Sequence, residues 1–241
     1  MDESKDKRVA LITGGCTGIG LAIGRALGED GCAVVATALD QEDISSDQVL
    51  NAGFNSKQLD VTDSKAISKL IGSLDRLDVL VNCAGTIARG GKEHEPETFA
   101  AVVDVNLTGA MRMCQACYPL LKATKGCVLN VASMLSFFGS GRVPGYSASK
   151  GGVVQLTKSL AIAWGPDEVR VNAIAPGWIT TKLTAPLVEN QDFSNAIVNR
   201  TPLGRWGEPT DVAPAARFLC SPAAAFITGA ILPVDGGYSA A

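Results

Sequence analysis

Short runs of β-branched and aliphatic residues alternate along the chain with longer stretches whose apolar positions recur every three or four residues. The first run, Arg8 to Thr13, predicts a strand. A helix follows over Gly18 to Asp30, with Ile19, Ala22, Ile23, Ala26 and Leu27 on one stripe. Further strands are expected over Cys32 to Ala38, Lys57 to Val61, Asp78 to Asn82, Gly126 to Ala132, Arg170 to Ile174 and Ala230 to Val234. Helices are expected from about Asp63, over Tyr146 to Trp164 and over Asp211 to Leu219. Pro96 to Lys122 reads as two helices, broken or bent near Asn106. Leu183 to Phe193 has mixed polarity, a proline and no clean period, and reads as a mobile lid.

Strands that are apolar throughout, rather than alternating, are buried on both faces, as in a parallel sheet with helices above and below. The regular strand–helix alternation therefore predicts an α/β protein, a doubly wound seven-stranded parallel sheet with helices on both faces. An eight-fold barrel would need one more unit. No linker, repeat or low-complexity stretch interrupts residues 1–241, which read as a single domain. In such sheets ligands bind beyond the carboxyl ends of the strands, where the strand order reverses. Candidate chemistry is therefore sought just after each strand.

Composition narrows the picture. At 241 residues and 46% hydrophobic, the chain can bury roughly 70–75% of its unfolded surface and needs no disulfide or metal staple. Only 19% of residues are charged, below the usual ~25%, which points to surface covered by subunit partners. A net charge of −3 offers no basic field for nucleic acid. No apolar run approaches the ~18 residues of a membrane span, and the charged opening Met1 to Arg8 is unlike a signal peptide. Seven scattered cysteines read as reduced thiols in a cytoplasmic protein. Cys114 and Cys117 have a redox or zinc spacing, but with no second pair they read as two small helix residues. His94 is the one histidine, so no metal cluster is expected.

After the first strand, Thr13-Gly14-Gly15-Cys16-Thr17-Gly18-Ile19-Gly20 runs directly into a helix. Glycines there let the backbone approach a pyrophosphate, whose charge rests on the helix N-terminus. Tyr146 and Lys150 are four apart and share a helix face. An ammonium beside a phenol favours the phenolate and lowers its pKa toward the range useful for acid–base transfer. Ser133, just beyond a strand, can donate a hydrogen bond to a substrate oxygen.

The spacing Gly14-x3-Gly18-x-Gly20 resembles the glycine motif of the classical short-chain dehydrogenases/reductases. The resemblance continues in order through Asn82-Cys83-Ala84-Gly85, Asn106, Ser133, Tyr146-x3-Lys150, Pro176-Gly177 and the Leu232 to Gly237 ending, covering about residues 7–238. Cys83 departs from it, since the family usually has a second asparagine there. A small thiol behind the sheet is expected to be tolerated. The resemblance implies a Rossmann-type fold and reversible hydride transfer between a secondary alcohol and a ketone. Tyr146 would be the general acid/base, Ser133 would polarise the substrate oxygen, Lys150 would tune Tyr146 and hold the nicotinamide ribose, and Asn106 would position a water in a proton relay. Gly14, Thr17, Gly18, Ile19, Gly20, Asn82, Ala84, Gly85, Pro176 and Gly177 would contact the dinucleotide, with Asp60 and Val61 at the adenine and Ile179 and Thr181 at the carboxamide.

The family's acidic position at the end of the second strand falls on Ala38, followed by Leu39 rather than a basic residue. Asp40 is near enough to reach the ribose if the loop bends inward, and Glu42 and Asp43 add negative charge. This favours NAD, with NADP as the alternative. Arg89 either meets a substrate carboxylate or faces water, and Trp178 and Phe138 either wall the substrate or pack in the core. The resemblance extends to enzymes acting on sugars, sugar acids and polyols, and to 3-oxoacyl carrier-protein reductases. A dinucleotide-binding regulator without catalysis is a further reading, against which the intact Ser133, Tyr146 and Lys150 stand. In relatives the Pro96 to Lys122 region packs against other subunits, commonly in a homotetramer.

Overall fold

The computed structural model describes residues 7–241, so the charged opening Met1 to Asp6 lies outside the described residues. Seven parallel strands form one sheet in the order β3-β2-β1-β4-β5-β6-β7. In chain order the elements are β1 (Val9–Thr13), α1 (Gly18–Glu29), β2 (Ala33–Ala38), α2 (Gln41–Ile44), α3 (Asp47–Leu50), β3 (Asn55–Gln58), α4 (Ser64–Ile71) and β4 (Val79–Asn82). Then come α5 (Pro96–Val103), α6 (Gly109–Thr124), β5 (Cys127–Val131), α7 (Pro144–Trp164), β6 (Arg170–Pro176), α8 (Ala185–Val188), α9 (Gln191–Arg200), α10 (Pro209–Leu219) and β7 (Ile231–Val234).

Alternate residues of the central strands enter opposite cores, which explains why those strands have no polar face. Leu11, Val35, Leu80, Val128 and Val171 pack with Ile67, Met113, Leu121 and Leu160 of α4, α6 and α7. Ala10, Ile12, Val79, Val81, Leu129 and Ile174 pack on the other side with Ile23, Leu27, Val212 and Ala216 of α1 and α10. Leu11 is in register with Val35 on one side and Leu80 on the other. The chain direction across the sheet thus reverses at β1 and β4, and their carboxyl ends open the cleft that doubly wound sheets use for ligands.

One expectation is corrected. The third strand is Asn55–Gln58, not Lys57 to Val61. Leu59 and Val61 are buried, but Asp60 accepts hydrogen bonds from the Thr62 amide and hydroxyl, and this turn takes the chain out of the sheet. The true strand is polar because it is an edge. The segment Leu183 to Phe193 holds α8 and the start of α9, with the Asn190 side chain capping α9 through the Phe193 amide at 3.0 Å. Its period is weak because α9 buries little beyond Ile197. The expected break near Asn106 is a π-helical turn over Asp104–Thr108 joining α5 to α6, a feature often found at functional positions.

Candidate active site

The turn after β1 is built around glycines that no other residue replaces. Gly14 has φ +63°, and a Cβ on Gly20 would lie 2.1 Å from the Gly14 carbonyl oxygen. Thr17 caps α1 by backbone geometry without a side-chain hydrogen bond, so the first amides of the helix face outward without a capping side chain. Thr13 Oγ1 accepts the amides of Cys83 and Ala84 at 3.1 and 3.2 Å, locking the turn after β4 against the glycine loop. A close-approach backbone, open helix N–H groups and a positive helix end form a cradle that fits a dinucleotide pyrophosphate.

Next to it, one cleft is lined by Ile19, Cys83, Gly85, Ser133, Tyr146 and Lys150 together with Pro176, Gly177, Ile179 and Thr181. Ser133 is fixed as the N-cap of a short turn, accepting the Leu135 amide at 3.1 Å. Tyr146 and Lys150 lie on the first turns of α7, the Lys150 Nζ 5.7 Å from the centre of the phenol ring. Lys150 is 4% exposed and donates to the Val131 carbonyl at 2.7 Å. Asn106, also buried, is held by both ends of its amide. Its oxygen accepts the Thr86 amide at 2.7 Å, and its nitrogen donates to the Thr86 carbonyl and to Ser149 Oγ at 2.9 and 3.0 Å. With the side chain so engaged, Asn106 ties the turn after Gly85 to α7.

Burial dominates the electrostatics. It pushes the Lys150 amine down to about 8 and holds the Tyr146 phenol above its ordinary 10. The Ser133 hydroxyl and the Arg89 guanidinium act to lower that phenol value, against the Glu93 carboxylate, which raises it. The expected drop in the phenol pKa from Lys150 is therefore corrected: the amine is engaged by Val131, and desolvation outweighs it. Cys83 is likewise not behind the sheet but in the cleft, where burial pushes its thiol up to about 11 and leaves it uncharged at neutral pH.

Other predicted residues fall outside this cleft. Asn82 is buried, its amide donating to Asn130 Oδ1 at 2.9 Å and to the Cys114 sulfur at 3.2 Å, so it braces β4 against β5 and α6. Val61 packs under Gly109, while Asp60 uses its carboxylate in the turn already described. Asp40 is exposed at the start of α2. Trp178 turns away from the cleft into an aromatic group with Phe193, Trp206 and Tyr238, because its neighbour Ile179 takes the inward position. Phe138 stacks near Tyr238 and Arg200. Arg89 donates to the Leu183 carbonyl at 2.8 Å, bridging the loop after β4 to the segment before α8.

Sequence reasoning missed Lys182. Its Nζ lies 2.5 Å from Asp43 Oδ1, which places a cation among the acidic residues after β2. A contact across 139 positions leaves no local signal. The seven cysteines are free, and Cys114 and Cys117 are buried with thiols pushed far up, so the pair has neither the exposure nor the thiolate of a redox site. No group of metal ligands and no helix long and apolar enough to cross a membrane occurs among the described residues.

Residues 14–239 match the family model described as enoyl-(acyl carrier protein) reductase. A 2-dehydro-3-deoxy-D-gluconate 5-dehydrogenase of Pseudoalteromonas atlantica is 39% identical, aligned over 98% of this chain and 97% of its own. A crystal structure from Agrobacterium tumefaciens with bound NADP, provisionally named a 2-deoxy-D-gluconate 3-dehydrogenase, is 42% identical with a TM-score of 0.88, covering 97% of each chain. A gluconate 5-dehydrogenase from Burkholderia cenocepacia, in complex with NADP and tartrate, is 34% identical with a TM-score of 0.90, covering 98% of this chain and 96% of its own.

Proposed function

The chain belongs to the classical short-chain dehydrogenase/reductase family and is an NAD(P)-dependent oxidoreductase of secondary alcohols and ketones; from that premise we propose that its substrate is a small sugar acid. The observation that carries this reading is Arg89, whose guanidinium is tied to Leu183 at the wall of the Ser133–Tyr146–Lys150 cleft and whose charge lowers the Tyr146 pKa. A planar, always charged fork suits a carboxylate. Relatives named for gluconate and dehydro-deoxy-gluconate support the same class.

In this proposal a dinucleotide held by the glycine turn after β1 would supply the hydride chemistry through its nicotinamide. The chain does the rest. Ser133 donates a hydrogen bond to the reacting oxygen, and Tyr146 gives a proton to it in reduction or takes one in oxidation. A phenol held above 10 is fully protonated at neutral pH, which readies it as the acid. Lys150 is charged below about 8 and, with its Nζ 5.7 Å from the phenol ring, is placed to hold the ribose and to favour the phenolate when Tyr146 gives up its proton. Asn106 keeps the Thr86 turn and α7 in place and serves the proton relay. Gly14, Thr17, Gly18, Gly20, Ala84 and Gly85 hold the dinucleotide backbone, Asp60 and Val61 the adenine, and Ile179 and Thr181 the carboxamide. Residues 1–241 act as one catalytic domain. We also propose a cytoplasmic homotetramer, supported by seven free cysteines and by Phe99 and Met111, exposed on α5 and α6.

Replacing Arg89 by Ala tests the substrate class. The KM for aldonates and their keto forms is expected to rise about 10- to 100-fold with kcat little changed, the loss of one charged hydrogen bond. An unchanged KM sinks the carboxylate reading. Activity on acyl thioesters alone favours the carrier-protein reductase alternative.

For the cofactor we propose NAD ahead of NADP. Ala38 and Leu39 offer no cation, and Asp40, Glu42 and Asp43 outnumber Lys182 where a 2′-phosphate would sit. NADP in similar structures points the other way, and Lys182 is the group that would receive it. Calorimetry decides: ADP is expected to bind about tenfold more tightly than 2′,5′-ADP, and Lys182→Glu to widen the gap. Tighter binding of 2′,5′-ADP overturns the preference.

A further inference from the structure

Glu93 is 1% exposed and has no part in the chemistry described so far. It lies in the short turn Lys92–His94 before α5. One carboxylate oxygen accepts the Ala88 amide at 2.8 Å, and the other accepts the amide of Tyr146 itself at 2.8 Å. A buried carboxylate is costly unless it is hydrogen-bonded, so this one is held for what it joins.

Both partners matter. Helix α7 starts at Pro144, and its N-cap, Val143, has no side chain able to accept a hydrogen bond. The amide of its third residue, Tyr146, is one of the orphan donors at a helix start, and Glu93 provides the missing cap from 53 positions away. The positive end of the helix favours the charge. Gly145 keeps room for it, since a Cβ there would lie 3.3 Å from the carboxylate. On its other side Glu93 pins the loop whose next residue, Arg89, reaches Leu183.

We propose that Glu93 is a positioning residue whose single carboxylate sets the spacing between Arg89 and Tyr146, the groups that hold the substrate's acid end and move its proton. The proposal rests on the assignment of Tyr146 as acid/base. It has an electrostatic corollary. The Glu93 charge raises the phenol pKa, so removing that charge lowers it.

Glu93→Gln keeps the shape but loses the charge and one acceptor. Alcohol oxidation is expected to lose about 10- to 100-fold in kcat/KM. The rising limb of its pH profile should move toward lower pH. Glu93→Asp keeps the charge but is a methylene short. It should lose kcat with the limb in place, and it carries the test alone if the Gln variant does not fold. Wild-type kinetics in either variant, or a Gln variant that is slower with an unmoved limb, overturn the proposal. Tyr146→Phe separates the two failures. Turnover retained there means that the acid/base assignment is wrong. An inactive Tyr146→Phe beside wild-type Glu93 variants means that only the positioning role is wrong.

Discussion

Tyr146→Phe is expected to reduce turnover by a factor on the order of 10² to 10⁴, the contribution of a positioned proton donor. The ring remains to fill its place between Ser133 and Lys150, so the fold should be unaffected. Dinucleotide affinity should stay within about tenfold, since at most one neutral hydrogen bond is lost. The loss should appear in kcat and kcat/KM together, because the phenol acts on charge that develops only as the proton moves. Stopped-flow rates of reduced-nicotinamide formation, with cofactor titrations by intrinsic fluorescence, check both halves. A fall in affinity alone would mean that Tyr146 binds and does not catalyse.

Lys150→Met is expected to do two opposite things. Turnover should fall on the order of 100-fold or more, as the charge that favours the phenolate disappears. The fold, however, should become more stable at neutral pH. The amine titrates near 8 in the fold against an ordinary 10.5, so carrying its charge in the buried site costs about 3 kcal/mol. Loss of its bond to the Val131 carbonyl gives back about 1 kcal/mol, leaving a gain of about 2 kcal/mol, or about 4–8 °C in Tm for a chain of this size.

The sign with pH follows from proton counting. Between about 8 and 10.5 the unfolded chain binds more protons at this site than the folded one, so this group makes wild-type stability rise with pH across that window. Below 8 both states are protonated and the cost is constant. Above 10.5 neither is, and it vanishes. The advantage of Lys150→Met should therefore be full at pH 7, cancel near pH 10 and turn into a penalty of up to about 1 kcal/mol above pH 10.5, where only the lost bond to Val131 counts. Thermal melts across that range measure it. A destabilised variant at pH 7 would show that the amine is better solvated than its burial implies.

The sheet was legible because both faces of each strand are buried. β1 and β4 are apolar up to their last residue, β5 is interrupted only by the buried Asn130, and the ends of all three could be placed to within about a residue. The glycine loop was legible because the chain passes too near itself for side chains, which leaves a spacing in the sequence. Ser133, Tyr146 and Lys150 were readable together, through their order after successive strands.

What failed to show has physical reasons. β3 is polar because it is an edge, and its apolar neighbours Leu59 and Val61 drew the expected strand past its end. α9 exposes most of its surface, so it has little stripe to detect. Glu93 sits in a run of charges that looks like a solvated turn, and only its distant amide partners make it a buried cap. Trp178 could be read in the sequence either as a substrate wall or as core packing, and which of two adjacent residues points inward is settled by packing against Phe193 and Trp206.

The central claim is that Ser133, Tyr146 and Lys150 pass a proton and let a hydride move directly between nicotinamide and substrate carbon. The most direct measurement follows deuterium. A keto sugar acid is reduced with cofactor labelled stereospecifically at the nicotinamide C4, and the product is read by mass spectrometry and proton NMR. The claim predicts one deuterium, on the carbinol carbon alone, and labelled product formed on the order of 10² to 10⁴ times more slowly with Tyr146→Phe. Label lost to water, or equal transfer by the Phe variant, would contradict it.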